Sequence, residues 1–194
     1  TFNKYLKMGS DWYALGVRYA RKWNTGAATW DISKDFGVGV NALDGVVFRG
    51  TSGVQTMYVA LSTGNYWLFD GTTWTVSTVG AALRFCVIGN DLWKAYDTNK
   101  VIKNQVGAAA ASSDVAADWA GSISMGDFNV PITAITGFQD RLIVGKEDRL
   151  MTITKDATAV DQDLMSVPRD TENFKAMYFW DRYNLLLLPS LSGL

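Results

Sequence analysis

The sequence predicts an all-β chain, a β-propeller of four-stranded antiparallel blades, and three observations predict it. Trp30, Trp74 and Trp119 stand 44 and 45 residues apart, and each opens a short run that ends in serine, as in Trp74-Thr75-Val76-Ser77. Leu164-Met165-Ser166-Val167 repeats the run another 45 residues on, with leucine in place of tryptophan. Between these runs lie short apolar stretches punctuated by Gly, Asn and Asp, and a repeat of this length made of short strands is a propeller signature. The bulk composition agrees: hydrophobic residues make up 48% and charged residues 19%, enough for a packed core and too little charge for a disordered chain.

The second repeat reads most clearly. Gly45-Val46-Val47-Phe48-Arg49 is a first, buried strand, Gly50-Thr51-Ser52-Gly53 turns the chain, and Thr56 to Leu61 is a second strand. Ser62-Thr63-Gly64-Asn65 is a tight turn before a third strand, Tyr66-Trp67-Leu68-Phe69. Asp70-Gly71 then closes a hairpin onto a fourth, outer strand at Thr73 to Ser77, because glycine supplies the positive φ that a two-residue hairpin turn demands. Four antiparallel strands joined by such turns make one blade.

The same order recurs. In the first repeat Trp12 to Val17 matches the second strand, with Tyr13 lying 45 residues before Tyr58, and Asn24-Thr25-Gly26 matches the turn before the tryptophan strand. The third repeat runs Ala82 to Ile88, the turn Gly89-Asn90-Asp91, Leu92 to Tyr96 and the turn Asp97-Thr98-Asn99. It also carries an Ala- and Ser-rich insertion at Gly107 to Ala117, read as a loop or a short helix. The fourth runs Ile132 to Gly137, Gln139-Asp140, Arg141 to Gly145, Lys146-Glu147-Asp148 and Leu150 to Thr154. A fifth copy opens with Lys175 to Phe179, the turn Asp181-Arg182 and Asn184 to Leu188. First strands share a small residue before a large apolar one (Gly45-Val46, Ala82-Leu83, Ala134-Ile135, Ala176-Met177), as strands crowded around an axis should.

The repeats fall at about 1–43, 44–79, 80–130, 131–173 and, in part, 174–194, one domain or a fragment of one. Four repeats and a half fit an arc of a larger ring of about five to eight blades. They also fit a closed four-bladed ring whose end strands share a blade. The chain begins at Thr1 and ends in Ser192-Gly193-Leu194, so both ends read as cut or processed, and the want of a visible signal peptide carries little weight.

Composition narrows the function classes. A net charge of −1 draws the chain neither to nucleic acid nor to anionic lipid. The apolar run Leu185 to Leu188 meets Pro189, far short of the roughly 20 residues a membrane helix needs. The single cysteine, Cys86, lies in the apolar run Leu83 to Ile88 and reads as a small core residue. No histidine is present, which removes the commonest general base, the commonest metal ligand and every Ser-His or Cys-His pair. No Gly-rich phosphate loop or zinc spacing occurs.

The remaining chemistry-bearing residues read first as structure. The tryptophans are packing anchors between blades; stacking sugars would require them exposed. Asp70, Asp91, Asp97, Asp140, Asp148 and Asp181 lie at turns, where aspartate caps its own backbone. Asp156, Asp161 and Asp163 share one loop but lack the spacing of a calcium loop. Arg18-Tyr19-Ala20-Arg21-Lys22-Trp23 reads as a solvated strand face before it reads as a phosphate or glycan contact. No catalytic residue, metal ligand or cofactor is assigned. If a partner binds the face formed by the turns between second and third strands, Asn65, Asp97, Asn99, Glu147, Asp148 and Arg149 are the candidate contacts.

Two resemblances follow from these residues. Asp70-Gly71-Thr72-Thr73-Trp74 resembles the Asp-box of sialidase-type propellers, where the motif is a structural turn rather than a catalytic element. Tyr66 to Trp74 and Ile132 to Gly145 look like kelch-like or WD-like propeller repeats, most of all the divergent ones of bacteriophage tail proteins and bacterial surface proteins. That resemblance implies a non-enzymatic structural or interaction protein. It would be a virion tail component, or extracellular, contacting other virion or surface proteins within an oligomeric assembly. A secreted or surface lectin that binds glycans is the alternative, and a glycan-cleaving enzyme comes third.

Overall fold

The computed structural model describes residues 2–50, 53–104, 116–154, 156 and 162–189, and the fold is all-β. Four four-stranded antiparallel sheets follow one another along the chain. The first is β1 (Phe2–Met8), β2 (Asp11–Gly16), β3 (Tyr19–Asn24) and β4 (Thr29–Asp35); the second is β5 (Ala42–Arg49), β6 (Gln55–Leu61), β7 (Trp67–Phe69) and β8 (Trp74–Val76). The third is β9 (Arg84–Ile88), β10 (Asp91–Tyr96), β11 (Lys100–Asn104) and β12 (Trp119–Ser124); the fourth is β13 (Ile132–Phe138), β14 (Arg141–Lys146), β15 (Arg149–Thr154) and β16 (Gln162–Ser166). A two-stranded sheet, β17 (Tyr178–Trp180) and β18 (Leu185–Leu187), follows. In every four-stranded sheet sequence neighbours are sheet neighbours, the meander expected of a propeller blade. Each tryptophan of the repeat lies at the start of a fourth strand, in β4, β8 and β12, and Leu164 lies in β16.

The chain forms two compact units, one of residues 1–85 and 104–120, the other of residues 86–103 and 121–194. In the first unit Tyr13 and Leu15 of β2 pack with Met57, Val59 and Leu61 of β6 and with Phe69, joined by Phe36 and Trp74. Gly45 lets β5 come close. A β-carbon there would lie 2.5 Å from Cδ1 of Leu15 and 3.1 Å from the Tyr58 carbonyl oxygen, so only glycine fits. In the second unit Ile143, Leu150 and Phe174 form a core with Phe138, Met165 and Leu186. Cys86 is buried, as its apolar run predicts.

Local chemistry explains the turns. The Asp70 carboxylate accepts the backbone N–H groups of Thr72 and Thr73 at 2.8 and 2.7 Å while Gly71 adopts φ +104°, which closes β7 onto β8. Those N–H bonds, that from Thr73 foremost, hold the Asp70 carboxyl below its usual range.

One hydrogen bond recurs in all four sheets. The residue just past the fourth strand donates its N–H to a carbonyl of the connection that leaves the second strand. The pairs are Phe36 to Arg18 (2.8 Å), Ser77 to Tyr66 (2.9 Å), Met125 to Asn99 (2.7 Å) and Val167 to Asp148 (2.8 Å). Outer and inner strands of each sheet are thus locked at one end, where the chain leaves for the next sheet.

Two local expectations change. The strand expected over Lys175 to Phe179 begins only at Tyr178, because Phe174 is taken into the core at φ +60° and its neighbours form turns. The turn expected at Asp181-Arg182 is a short 3-10 helix, Asp181–Tyr183. The insertion at Gly107 to Ala117 lies outside the described residues except for its end, where Ala116–Asp118 form another short 3-10 helix.

Candidate functional site

The recurring lock places the candidate contact residues. In the first unit, Asn65 precedes β7, is exposed, and donates its side-chain amide to the Ser77 carbonyl at 2.8 Å. In the second unit, Asn99 precedes β11 and donates its amide to the Gly126 carbonyl at 2.7 Å, but it is buried. Two asparagines of equivalent turns therefore clamp the exit of their own fourth strand. Asp97 stands exposed beside Asn99, at φ +56° and 3.2 Å from Lys100 Nζ.

The turn between β14 and β15 brings Glu147, Asp148 and Arg149 together. Asp148 accepts both Nε and Nη2 of Arg149, at 2.9 and 3.0 Å, and this pairing holds the Asp148 carboxyl below its usual range while raising the arginine. Glu147 is buried and accepts Nε of Arg169 at 2.7 Å; Arg169 in turn donates to the Asn129 carbonyl at 2.9 Å. The Asn173 amide donates to the carbonyls of Glu147 and Pro168 at 2.7 and 2.8 Å.

Lys146 was not singled out by its sequence context, yet it is fully buried. Its Nζ donates to the carbonyls of Met125 and Asp127 at 2.5 and 2.6 Å. The link 125–131 is therefore held by Asn99 on one side and by Lys146 and Arg169 on the other. Of the candidates in this unit, Asp97 is exposed and Asp148 and Arg149 are a half-buried ion pair, while Asn99 and Glu147 are buried and hold the loops.

Other sequence candidates also resolve into structure. Arg18 pairs with Asp35 at 2.5 Å, Lys22 with Asp11 at 2.7 Å, and Arg21 donates to the Trp30 carbonyl at 3.1 Å, so the basic-aromatic stretch is a strand whose cations are engaged. The Arg18 guanidinium and the Gly37 N–H pull the Asp35 carboxyl from its ordinary 3.8 to about 2. Asp156 lies 3.8 Å from Lys103, Asp163 lies 3.4 Å from Arg149, and Asp161 falls outside the described residues. Among the described residues no group of three or more His, Cys, Asp or Glu side chains could hold a metal ion. No helix among them is long and apolar enough to cross a membrane.

The three repeat tryptophans differ. Trp74 packs against Phe36 (5.8 Å) and stacks on Phe69 (4.6 Å), and Trp119 is buried, edge-on to Tyr66 at 6.4 Å. Both are the packing anchors expected. Trp30 instead lines an open groove with Tyr5, Trp12 and Trp23 on one face of the first sheet.

No family model and no curated protein matches the sequence. Solved structures do match the fold. The protein BamB from Moraxella catarrhalis aligns over 98% of this chain and 55% of its own, with TM-score 0.60 and 12% identity. BBS1N, solved in complex with ARL6DN, aligns over 86% and 52% with TM-score 0.55 and 8% identity. A chain of the mitotic checkpoint complex aligns over 84% and 47% with TM-score 0.54 and 10% identity. The chain thus spans about half the length of the solved chains it matches, and the likeness shows the fold: four-stranded antiparallel blades of the β-propeller class.

Proposed function

We propose that this chain is a non-enzymatic interaction scaffold, a propeller that holds turns rigid for contact with other proteins. In its finer form it is a virion tail component, or an extracellular one, contacting other virion proteins or a host surface within an oligomeric assembly. The observation that carries the reading is what the turn residues do. Asn65, Asn99, Lys146 and Glu147 direct side-chain polar atoms to the loops, which holds the exposed Asp97 and the half-buried Asp148–Arg149 ion pair on a fixed frame. Such a frame recognises a complementary charged surface without ordering itself first, which lowers the entropic cost of contact. The structural neighbours include chains solved within protein complexes, which accords with the reading by analogy of fold alone.

The test is binding of the purified chain to intact bacterial cells and to immobilised cell-surface protein. Adhesion that weakens with Asp148→Lys and Arg149→Glu at an unchanged fold supports the reading. Turnover of polysaccharide above the buffer rate, abolished by a carboxylate substitution, would overturn it. A lectin is the second reading, favoured by the open groove of Tyr5, Trp12, Trp23 and Trp30. A glycan array separates the two.

A further inference from the structure

The strand register sorts the charges of the first sheet onto its two faces. Tyr5 opposes Ala14, Lys7 opposes Trp12, Arg21 opposes Ala14 and Trp23 opposes Trp30, so the aromatic rings of the open groove share their face with Lys7 and Arg21. The acids go elsewhere. Asp11 opposes Met8, and Asp31 opposes Lys22, itself opposite Tyr13, so both belong to the face that packs on the second sheet. Asp35 opposes Tyr19 on the aromatic face, but Arg18 takes it up with Nε at 2.8 Å and Nη2 at 2.5 Å. The aromatic face therefore carries two cations that no carboxylate of its own sheet neutralises.

The groove itself is a wall of rings. Trp30 meets Trp23 at 5.3 Å and Tyr5 at 5.9 Å between centroids, and Trp12 completes the lining of a space of about 410 Å³, within the range of small-ligand sites. Tyr5 is 56% and Trp12 48% exposed, while Trp23 and Trp30 are half-buried. Both cations touch this lining. Lys7 Nζ stands 5.9 Å from the Trp12 ring centroid, and Arg21 donates Nη1 to the Trp30 carbonyl at 3.1 Å. A carbonyl satisfies one N–H without cancelling the charge. Indole, ammonium and guanidinium groups can only donate hydrogen bonds; of the polar side chains around the groove, the Tyr5 hydroxyl alone can also accept.

We propose that this groove binds an acidic oligosaccharide, with sugar rings laid on Trp12 and Tyr5 and sugar carboxylates paired with Lys7 and Arg21. The inference rests on the second reading above, that the chain binds glycans, and adds the class of sugar. A pyranose offers an apolar C–H face to an aromatic ring and a rim of acceptor oxygens to the donors beside it. A carboxylate on that rim meets the uncancelled positive charge. Other occupants fit less well. A quaternary ammonium would suit the rings, but it would face two cations and no counter-charge. Single-stranded nucleic acid brings a phosphate with every base, whereas here four lining rings stand beside two cations on a chain of net charge −1. A sugar chain acidic at only some of its units matches that ratio of rings to charge.

Tryptophan fluorescence and isothermal titration calorimetry of the purified chain test it. The probes are a hyaluronan tetrasaccharide and an oligogalacturonate, each beside the same sugar with its carboxyls reduced to alcohols. The expected result is saturable binding of an acidic probe that shifts the tryptophan emission and weakens as salt rises. Reduction of the carboxyls should weaken it roughly five- to tenfold, and Lys7→Gln roughly two- to fivefold, the range of two exposed ion pairs and of one. Trp12→Ala should abolish it at an unchanged circular-dichroism spectrum. If that variant loses its β signal, Tyr5→Ala takes its place. Equal binding of the acidic and reduced forms would overturn the acidic class and leave the glycan reading standing. Binding heat without a tryptophan shift, indifferent to Trp12→Ala, would overturn the groove as its place. Tighter binding of choline or of oligothymidylate would overturn the proposal as well. So would silence with both acidic probes, and the glycan array then decides whether the broader reading survives.

Discussion

The indole N–H of Trp74 donates to the Ser33 hydroxyl oxygen at 3.1 Å, tying the outer strand of the second sheet to the outer strand of the first. The ring stacks on Phe69 at 4.6 Å and meets Phe36 edge-on at 5.8 Å. Trp30 holds the same repeat position with one side of its ring on the open groove. Trp74→Ala should therefore cost about 3–5 kcal/mol, as for other large aromatic truncations in a core. Trp30→Ala should cost about 2 kcal/mol or less in the isolated chain, since less apolar area returns to water. Urea denaturation of both variants measures the difference, and equal losses would refute the distinction between anchor and open face.

The Asp44 carboxylate, which is buried, accepts Lys4 Nζ at 2.5 Å and the backbone N–H of Phe85 at 2.8 Å. It bridges β1 to the start of β9 from its place on β5. Removing it leaves the buried Phe85 N–H without its acceptor while the part-exposed Lys4 ammonium returns to water, so Asp44→Ala should destabilise by about 1–3 kcal/mol. Asp44→Asn keeps one acceptor and should lose less. Thermal unfolding of the two variants gives the order.

Asn99 and Gly126 give a sharper test of the lock. Asn99→Ala leaves the Gly126 carbonyl without this donor and should cost about 1–3 kcal/mol. Asn99→Asp sets a carboxylate oxygen against that carbonyl, so its loss should grow as pH rises through the carboxylate range. Denaturation at acid and neutral pH separates the two variants: a pH-independent Asn99→Asp would show that the amide is not the clamp.

The repeat was legible in the sequence because it is written in residues with single physical uses. Asp70-Gly71 marks a hairpin through one carboxylate and one positive φ, and the tryptophan spacing marks the fourth strands directly. β1 is not legible because Phe2 to Met8 breaks apolar–polar alternation at Asn3-Lys4 and Tyr5-Leu6 and carries no flanking repeat signal. Asp44 and Lys146 escaped because a buried charge looks like any other charge until its partners, 40 and 21 residues away in sequence, are placed beside it. Asn65 and Asn99 were found as turn residues, but their donors point to carbonyls 12 and 27 residues on, which turn chemistry alone does not foretell.

Asp35 supplies a pH signature for the first unit. Arg18 donates Nε to its carboxylate at 2.8 Å and Gly37 donates a backbone N–H at 2.8 Å, and together these lower its pKa from 3.8 to about 2. A carboxyl depressed on folding favours the folded state above its unfolded pKa, and that contribution fades as pH falls through the folded value. For Asp35 the window runs from near pH 4 down to about 2. Both partners are solvent-exposed, so the effect on stability is small and the titration itself is the readout. Carboxyl-carbon NMR of Asp35 should show a midpoint near 2 in the native chain, moving toward the ordinary value in Arg18→Gln. A midpoint near 4 in both would mean that the Arg18 pairing does not persist in solution.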